Sequence, residues 1–174
     1  MNFTVISYSL TGNNESLAGS IAKELSAKHI RITENKPRTV GMITFDMIFN
    51  RTPKINLTIN NVKDDDIVIF VAPVWMWQVA SPLRECFKRL KSTLTKYVFI
   101  SISGGADGPN SKLANELTKR IGKKPKAVID LHIASLLPIP KPTREDTSSY
   151  HLNEKDVKNL TNIIMKSLQE TLTN

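Results

Sequence analysis

Only one cysteine, Cys86, occurs among the 174 residues of the chain. A single thiol cannot form an internal disulfide, and no paired cysteine and histidine spacing of the zinc type is present. These absences argue against a disulfide-stabilised scaffold and a metal site, and they favour a reducing, cytoplasmic location. Because Cys86 falls on the apolar side of a helical pattern, we expect a buried core thiol rather than a nucleophile.

The sequence also lacks a long hydrophobic segment. Its longest uninterrupted apolar run, residues 67–77, is about half as long as the ~20 residues that cross a bilayer. We expect no secretion signal, because no basic leader and apolar stretch precede the first strand-like pattern. Apolar residues make up 40% of the chain and charged residues 23%, as in ordinary globular proteins. The length predicts one domain, residues 1–174.

Strand-like and helical patterns alternate along the chain, with no internal repeat or low-complexity segment. Runs rich in β-branched and aromatic residues predict strands at residues 2–9, 29–33, 65–74, 97–101 and 127–133. Apolar residues three and four apart predict helices at residues 13–27, 82–94, 110–121 and 153–172, with a short helix near 41–50. This alternation predicts a parallel sheet covered by helices on both faces. The rest of residues 34–63 stays without a predicted conformation.

The candidate site lies in the loops after the first, third and fourth strands, because ligands of such sheets bind outside the carboxyl ends of the strands. The first loop consists of Ser9, Leu10, Thr11, Gly12, Asn13 and Asn14. Hydroxyl, amide and backbone N–H groups at a helix N-terminus suit a phosphate group. The alternative is an ordinary helix cap, where Ser, Thr and Asn are favoured. No Walker or G-x-G-x-x-G pattern is present.

The other two loops suit a flat ligand. The tryptophan loop, residues 72–78, contains Pro73, Val74, Trp75, Met76, Trp77 and Gln78. Tryptophan offers a wide face for stacking on a planar ring, and Gln78 can hydrogen-bond its edge; the alternative is a hydrophobic lid or an oligomer contact. The glycine loop, residues 103–108, begins with Ser103, Gly104 and Gly105. Its glycines permit close backbone approach, or they form a flexible turn.

Together the three loops resemble the flavodoxin family. Residues 5–13 are similar to the strand and turn around the phosphate of flavin mononucleotide (FMN) in flavodoxins, with Asn14 in place of the family's threonine. Residues 73–75, followed by residues 81–84 and Phe87, look like the second flavin loop, and residues 103–105 look like the third. The resemblance implies a three-layer flavodoxin-like sandwich, in which a five-stranded parallel sheet of order 2-1-3-4-5 has helices on both faces.

The resemblance also implies a function. It suggests an FMN-binding redox protein acting in electron transfer, whose three loops bind the cofactor and whose Trp75 and Trp77 flank the flavin ring. The cofactor supplies the electron chemistry, so no catalytic acid, base or nucleophile is required. An NAD(P)H-dependent flavin or quinone reductase with a small-molecule electron acceptor stays open as the alternative.

The chain is basic, with 24 Lys and Arg residues against 16 Asp and Glu residues. The two helices after the third and fourth strands should lie side by side and form one cationic surface from Arg84, Lys88, Arg89, Lys91, Lys119, Arg120, Lys123 and Lys124. This surface favours acidic redox partner proteins; the alternative is ordinary solubilising charge. No nucleic-acid partner is expected, since no binding motif accompanies the charge. His29, His132 and His151 share no metal spacing, and we expect structural or surface roles for them.

Overall fold

The strands form where β-branched and aromatic residues are continuous. The computed structural model describes residues 2–59, 66–106, 108 and 110–172. The strands within these residues are β1 (Phe3–Ser7), β2 (Lys28–Arg31), β3 (Ile67–Val71), β4 (Val74–Trp75), β5 (Gln78–Val79), β6 (Lys96–Ser103) and β7 (Ala127–His132). All of β3 and most of β1 and β6 are buried, as expected for central strands covered on both faces.

Five of these strands form one parallel sheet in the order β2-β1-β3-β6-β7. Counted among the sheet strands alone, this is the predicted order 2-1-3-4-5, which is confirmed. The chain winds in opposite directions from β1 and from β3, and these two strands are neighbours. Their carboxyl ends therefore flank the switch point at which such sheets bind ligands.

Helices cover both faces of the sheet. They are α1 (Asn13–Glu24), α2 (Val40–Ile48), α3 (Pro82–Leu90), α4 (Leu113–Ile121), α5 (Arg144–Ser149) and α6 (Glu154–Leu172). Residues of α1 and α6, such as Leu17 and Ile164, pack on one face of the sheet. Residues of α3 and α4, such as Phe87 and Leu117, pack on the other. The predicted three-layer sandwich is confirmed, and no helix of the described residues is long and apolar enough to cross a membrane.

Two local predictions differ from the structure. The third strand ends at Val71 instead of residue 74, and residues 74–79 turn back as the antiparallel hairpin β4–β5; residue 65 lies outside the described residues. Helix α5 has no predicted counterpart, because its six residues are polar and carry no apolar period. A capping box starts it: Thr143 Oγ1 accepts from the Asp146 N–H, and the Asp146 carboxylate accepts from the Thr143 N–H.

The short helix expected near 41–50 is present as α2, and a buried ion pair attaches the preceding chain to it. Arg38 lies between the carboxylates of Glu34 and Asp46, with its side chain 2% exposed. Tyr8 Oη also donates to Glu34, at 2.9 Å, and Ser81 Oγ donates to Asp46. Burial works against the charge of Arg38, but the hydrogen bonds to the two carboxylates raise its pKa.

Arg84 corrects the predicted cationic surface, because it is buried rather than exposed. Its Nη1 atom donates to the backbone oxygens of Asp46 and Arg51, at 3.0 and 2.8 Å. Burial, with Arg120 nearby, lowers the pKa of Arg84 to about 10.

Cys86 on the same helix is fully buried, and burial raises its pKa to about 12, so the prediction of a core thiol is confirmed.

Candidate ligand-binding site

A cleft of about 640 Å³ lies at the carboxyl ends of the central strands and brings the three predicted loops together. The predicted site residues that line it are Leu10, Thr11, Asn13, Asn14, Pro73, Val74, Trp75, Met76, Trp77, Ser103, Gly104 and Gly105. Its volume is in the range of small-molecule sites. A groove of about 410 Å³ beside α1 and α6 contains none of these residues. Ser9, Gly12 and Gln78 do not line the cleft.

The first loop leaves the N-terminus of α1 without a side-chain cap. Gly12 is the N-cap residue, and its φ of 92° lies in the left-handed region that glycine adopts easily. The first N–H groups of α1 have no acceptor within the helix, and the helix dipole makes this end favourable for an anion. The Ser9 hydroxyl is buried and has no hydrogen-bond partner within the described residues. The loop therefore has unused donors next to the cleft.

The side chains of Asn13 and Asn14 hold the walls of the cleft together. Asn14 Nδ2 donates to the Ile102 oxygen at 2.8 Å, and its Oδ1 accepts from the Ile102 N–H at 3.0 Å. Asn13 makes the same kind of pair with the Tyr150 oxygen and the Leu152 N–H. Both side-chain amides are thus engaged with backbone, and what these residues offer a ligand is their own N–H groups at the helix start.

The tryptophan loop is a hairpin with an unusual tip. Val74 pairs with Val79 and Trp75 with Gln78, so Met76 and Trp77 alone make the turn. Their φ values are 48° and 66°, as in the tight hairpin turn that normally prefers Asn-Gly. Bulky residues in this conformation cost about 1–3 kcal/mol each, and such strain is often found at binding sites. The tip is about half exposed at the mouth of the cleft.

Protein contacts fix the base of this hairpin. The Trp75 ring meets the ring of Tyr8 edge to face, with 5.8 Å between centroids. Gln78 Oε1 accepts hydrogen bonds from Arg84 and Arg120, at 3.3 and 2.8 Å. Gln78 therefore anchors the hairpin to α3 and α4 and does not line the cleft. Trp75 packs against Tyr8 and also lines the cleft.

Asn110 connects the tip of the hairpin to the segment that follows the glycine loop. Its Nδ2 atom donates to the Trp77 oxygen at 2.7 Å, and its Oδ1 atom accepts from the Lys112 N–H. Its own backbone N–H lies near the Asp130 carboxylate and helps to lower the pKa of that group. One side chain thus joins the tryptophan loop to the segment that follows the glycine loop.

Neighbouring protein leaves no room for a side chain at Gly104 and Gly105 of the third loop. Gly105 has a φ of 75°, and a Cβ there would overlap the Cβ and Cγ atoms of His132. A Cβ on Gly104 would lie 2.9 Å from the Thr147 hydroxyl. The loop is therefore packed tightly against β7 and α5, and Asp107 lies outside the described residues.

Known structures share this architecture. A flavoprotein from Lactobacillus acidophilus NCFM, determined in complex with FMN, has a TM-score of 0.65 at 16% identity and covers 74% of this chain and 92% of its own. A Bacteroides eggerthii protein classed by inference as a flavoprotein has a TM-score of 0.62 at 16% identity, with coverage of 94% and 98%. The chain has a flavodoxin-like fold. Neither protein-family models nor curated protein sequences give a match.

In this flavodoxin-like fold, the cleft also has wall residues that sequence reasoning missed. They include Val40, Ile43 and Thr44 of α2, Asp130 and His132 of β7, and Arg144, Thr147 and Ser148 of α5. Asp130 and His132 carry a signal that could have been used, since two ionisable residues end a predicted strand at the ligand edge. The α5 residues carry none, because their helix was not predicted.

The three histidines of the chain have different surroundings. His29 Nε2 lies 2.8 Å from Ser7 Oγ within the sheet, and His151 is exposed. Of the three, His132 lines the cleft, and its expected structural or surface role stays a prediction. Within the described residues, no group of three or more His, Cys, Asp or Glu side chains could hold a metal ion.

Proposed function

We propose that this protein binds FMN in the cleft and acts in electron transfer. The observation that carries the proposal is that the three loops and the uncapped start of α1 meet in one cleft beside the switch point of a flavodoxin-like sheet. The Lactobacillus acidophilus protein of similar fold, which was determined with FMN, supports the choice of cofactor.

The residues of the cleft suit the two ends of FMN. Thr11 and the first N–H groups of α1 would bind the phosphate, with the Ser9 hydroxyl as a further donor. Trp75 and Trp77 would flank the flavin ring, and backbone groups of the glycine loop would bind its polar edge. When bound, FMN would supply the electron chemistry; the chain positions the ring and excludes water from its faces.

Thr11→Ala tests the phosphate assignment. A hydrogen bond to a charged group contributes about 1.5–3 kcal/mol, so we expect the affinity for FMN to fall by at least about 10-fold. Riboflavin, which has no phosphate, should lose less than about twofold by the same reasoning. Titration of the apoprotein, followed by flavin fluorescence, measures both affinities.

Thr44→Ala is the matched control, because Thr44 also lines the cleft but its hydroxyl donates to the Val40 oxygen. It should leave the ratio of FMN to riboflavin affinity unchanged. Equal losses for the two ligands in Thr11→Ala would contradict the phosphate assignment, and failure of the wild-type protein to bind FMN would overturn the proposed function.

We further propose that acidic redox proteins of the cytoplasm dock on the cationic surface of α3 and α4. Without Arg84, its exposed charges include Lys88, Lys91, Lys119 and Lys124. Because the Debye length is about 8 Å at physiological ionic strength, the rate of electron transfer with an acidic donor should fall steeply as salt rises.

Lys88→Gln with Lys124→Gln should weaken this salt dependence. Lys155→Gln with Lys166→Gln, two exposed charges on α6, should leave it unchanged. Stopped-flow reduction by an acidic ferredoxin at low and high salt measures the effect. A rate that is independent of salt in the wild-type protein would assign these lysines to solubility alone.

An NAD(P)H-dependent flavin or quinone reductase is the second candidate function, and the ionisable pair Asp130 and His132 in the cleft favours it. An electron carrier needs no proton-exchanging residue beside its cofactor, whereas reduction of a quinone consumes protons. A steady-state assay with NADH or NADPH and a quinone separates the two functions.

A further inference from the structure

Three polar side chains form a hydrogen-bonded chain that leads from the core to the cleft. Ser101 Oγ donates to Asp130 Oδ1 at 3.0 Å, and Asp130 Oδ2 lies 3.2 Å from His132 Nε2. Ser101 and Asp130 are opposite one another in the β6–β7 pairing, and His132 follows two residues later on the same side of the strand. Ser101 is fully buried, whereas Asp130 and His132 line the cleft.

His132 is held in place through one ring nitrogen and one face of its ring. Asp130 contacts Nε2, and Gly105 lies so close to the ring that no side chain fits there. Within the described parts of the chain, Nδ1 has no hydrogen-bond partner, and the side chain is 18% exposed. Arg144 is the other charged side chain in the described cleft lining. An oriented imidazole whose second nitrogen is not bonded by any described residue is suited to proton transfer.

The electrostatics favour a protonated imidazole beside an ionised carboxylate. The hydrogen bond to Asp130 raises the pKa of His132 above its ordinary value of 6.5, against the effect of burial. Burial opposes the charge of Asp130, but hydrogen bonds from His132, Ser101 and the Asn110 N–H lower its pKa. Both shifts therefore favour the protonated form of His132 beside a charged Asp130.

We propose that His132 is the proton donor of this cleft, positioned by Asp130 and Ser101, and that the small-molecule substrate is a quinone. The proposal rests on the FMN binding proposed above. The cleft lining also includes Ile43, Met76 and Trp77, which suit a flat apolar ring, and a quinone presents its carbonyl oxygens at the ring edge.

A quinone gains two electrons and two protons to become a hydroquinone. Reduced FMN, when bound, would supply both electrons and one proton as a hydride equivalent and would be left oxidised. The second proton comes from His132, whose N–H bond breaks as an O–H bond forms on the quinone, and water later reprotonates the imidazole.

The test compares two acceptors. Holoprotein is reduced anaerobically with dithionite and mixed with p-benzoquinone, which takes up protons, or with ferricyanide, which accepts one electron and no proton. We expect His132→Gln to lower the ratio of the quinone rate to the ferricyanide rate by at least about 10-fold at pH 7. His151→Gln, a change at an exposed histidine, is the control and should keep the wild-type ratio.

Asp130→Asn tests the positioning role through pH. In the wild-type protein, the quinone rate should fall as pH rises through the pKa of His132, because the donor loses its proton. Without the carboxylate, the pKa of His132 falls, so this decrease should move to lower pH. NMR titration of the imidazole signals should show the same shift independently of turnover.

The outcomes separate this proposal from the proposed function. Absence of FMN binding by the wild-type protein overturns both. Normal FMN affinity with an unchanged rate ratio in His132→Gln overturns the proton donor alone. If His132→Gln loses FMN, the Asp130→Asn profile decides: an unshifted pH dependence overturns the proposal, and a shift to lower pH supports it.

Discussion

Replacing Arg38 with leucine is expected to lower the free energy of unfolding by about 3–5 kcal/mol, because the substitution leaves two carboxylates without their buried partner. The Arg38 side chain is 2% exposed, and those of Glu34 and Asp46 are 13% and 11% exposed. Urea denaturation followed by far-UV circular dichroism measures the change.

Arg31→Leu provides the matched control. Arg31 pairs with Glu15 at 3.0 Å, but the two side chains are 60% and 43% exposed, so water and salt screen the pair. Loss of this exposed pair should lower the free energy of unfolding by less than about 1 kcal/mol.

Arg38→Leu should also weaken FMN binding, since the ion pair holds α2, which contributes Val40 and Ile43 to the cleft. Equal effects of the two substitutions would show that the buried network does not stabilise the fold.

Asn14→Ala is expected to weaken FMN and riboflavin equally and to destabilise the protein by about 2–4 kcal/mol, because the buried N–H and carbonyl groups of Ile102 both lose their partner. If the Asn14 side chain instead bound the phosphate, its replacement would resemble Thr11→Ala and lower the affinity for FMN but not for riboflavin. The pair of affinities therefore distinguishes a residue that holds the walls from one that binds the phosphate.

Asn115→Ala, at an exposed position of α4, is the control for Asn14→Ala and should leave both affinities and the stability close to those of the wild type. Should Asn14→Ala reduce only the affinity for FMN, its side chain would have to leave Ile102 and contact the phosphate when the ligand binds.

Much of the fold could be predicted because its signals are local. Continuous apolar residues, as in β3, are typical of a strand covered on both faces, and helical periods between the strands predict crossover connections. The hairpin was missed because Val74, Trp75, Met76 and Trp77 continue the apolar run of β3. No glycine or asparagine marks its turn.

The candidate site was predicted less completely, because several roles depend on contacts between distant segments. Asn14 has a side chain that could bind phosphate, yet that side chain bonds the backbone of a strand residue 88 positions away. Arg84 has the spacing of an exposed residue, but carbonyls of Asp46 and Arg51 cover it. Neither contact leaves a signal in the local pattern, because backbone carbonyls occur at every residue.

The link made by Asn110 has a consequence for how a ligand is received. Its side chain joins the tip of the tryptophan hairpin to the residue that precedes α4. A ring that orders Met76 and Trp77 therefore also restricts the segment after the glycine loop. Contacts that a ligand makes with the hairpin tip are thereby coupled, through the Asn110 side chain, to the chain that leads into α4.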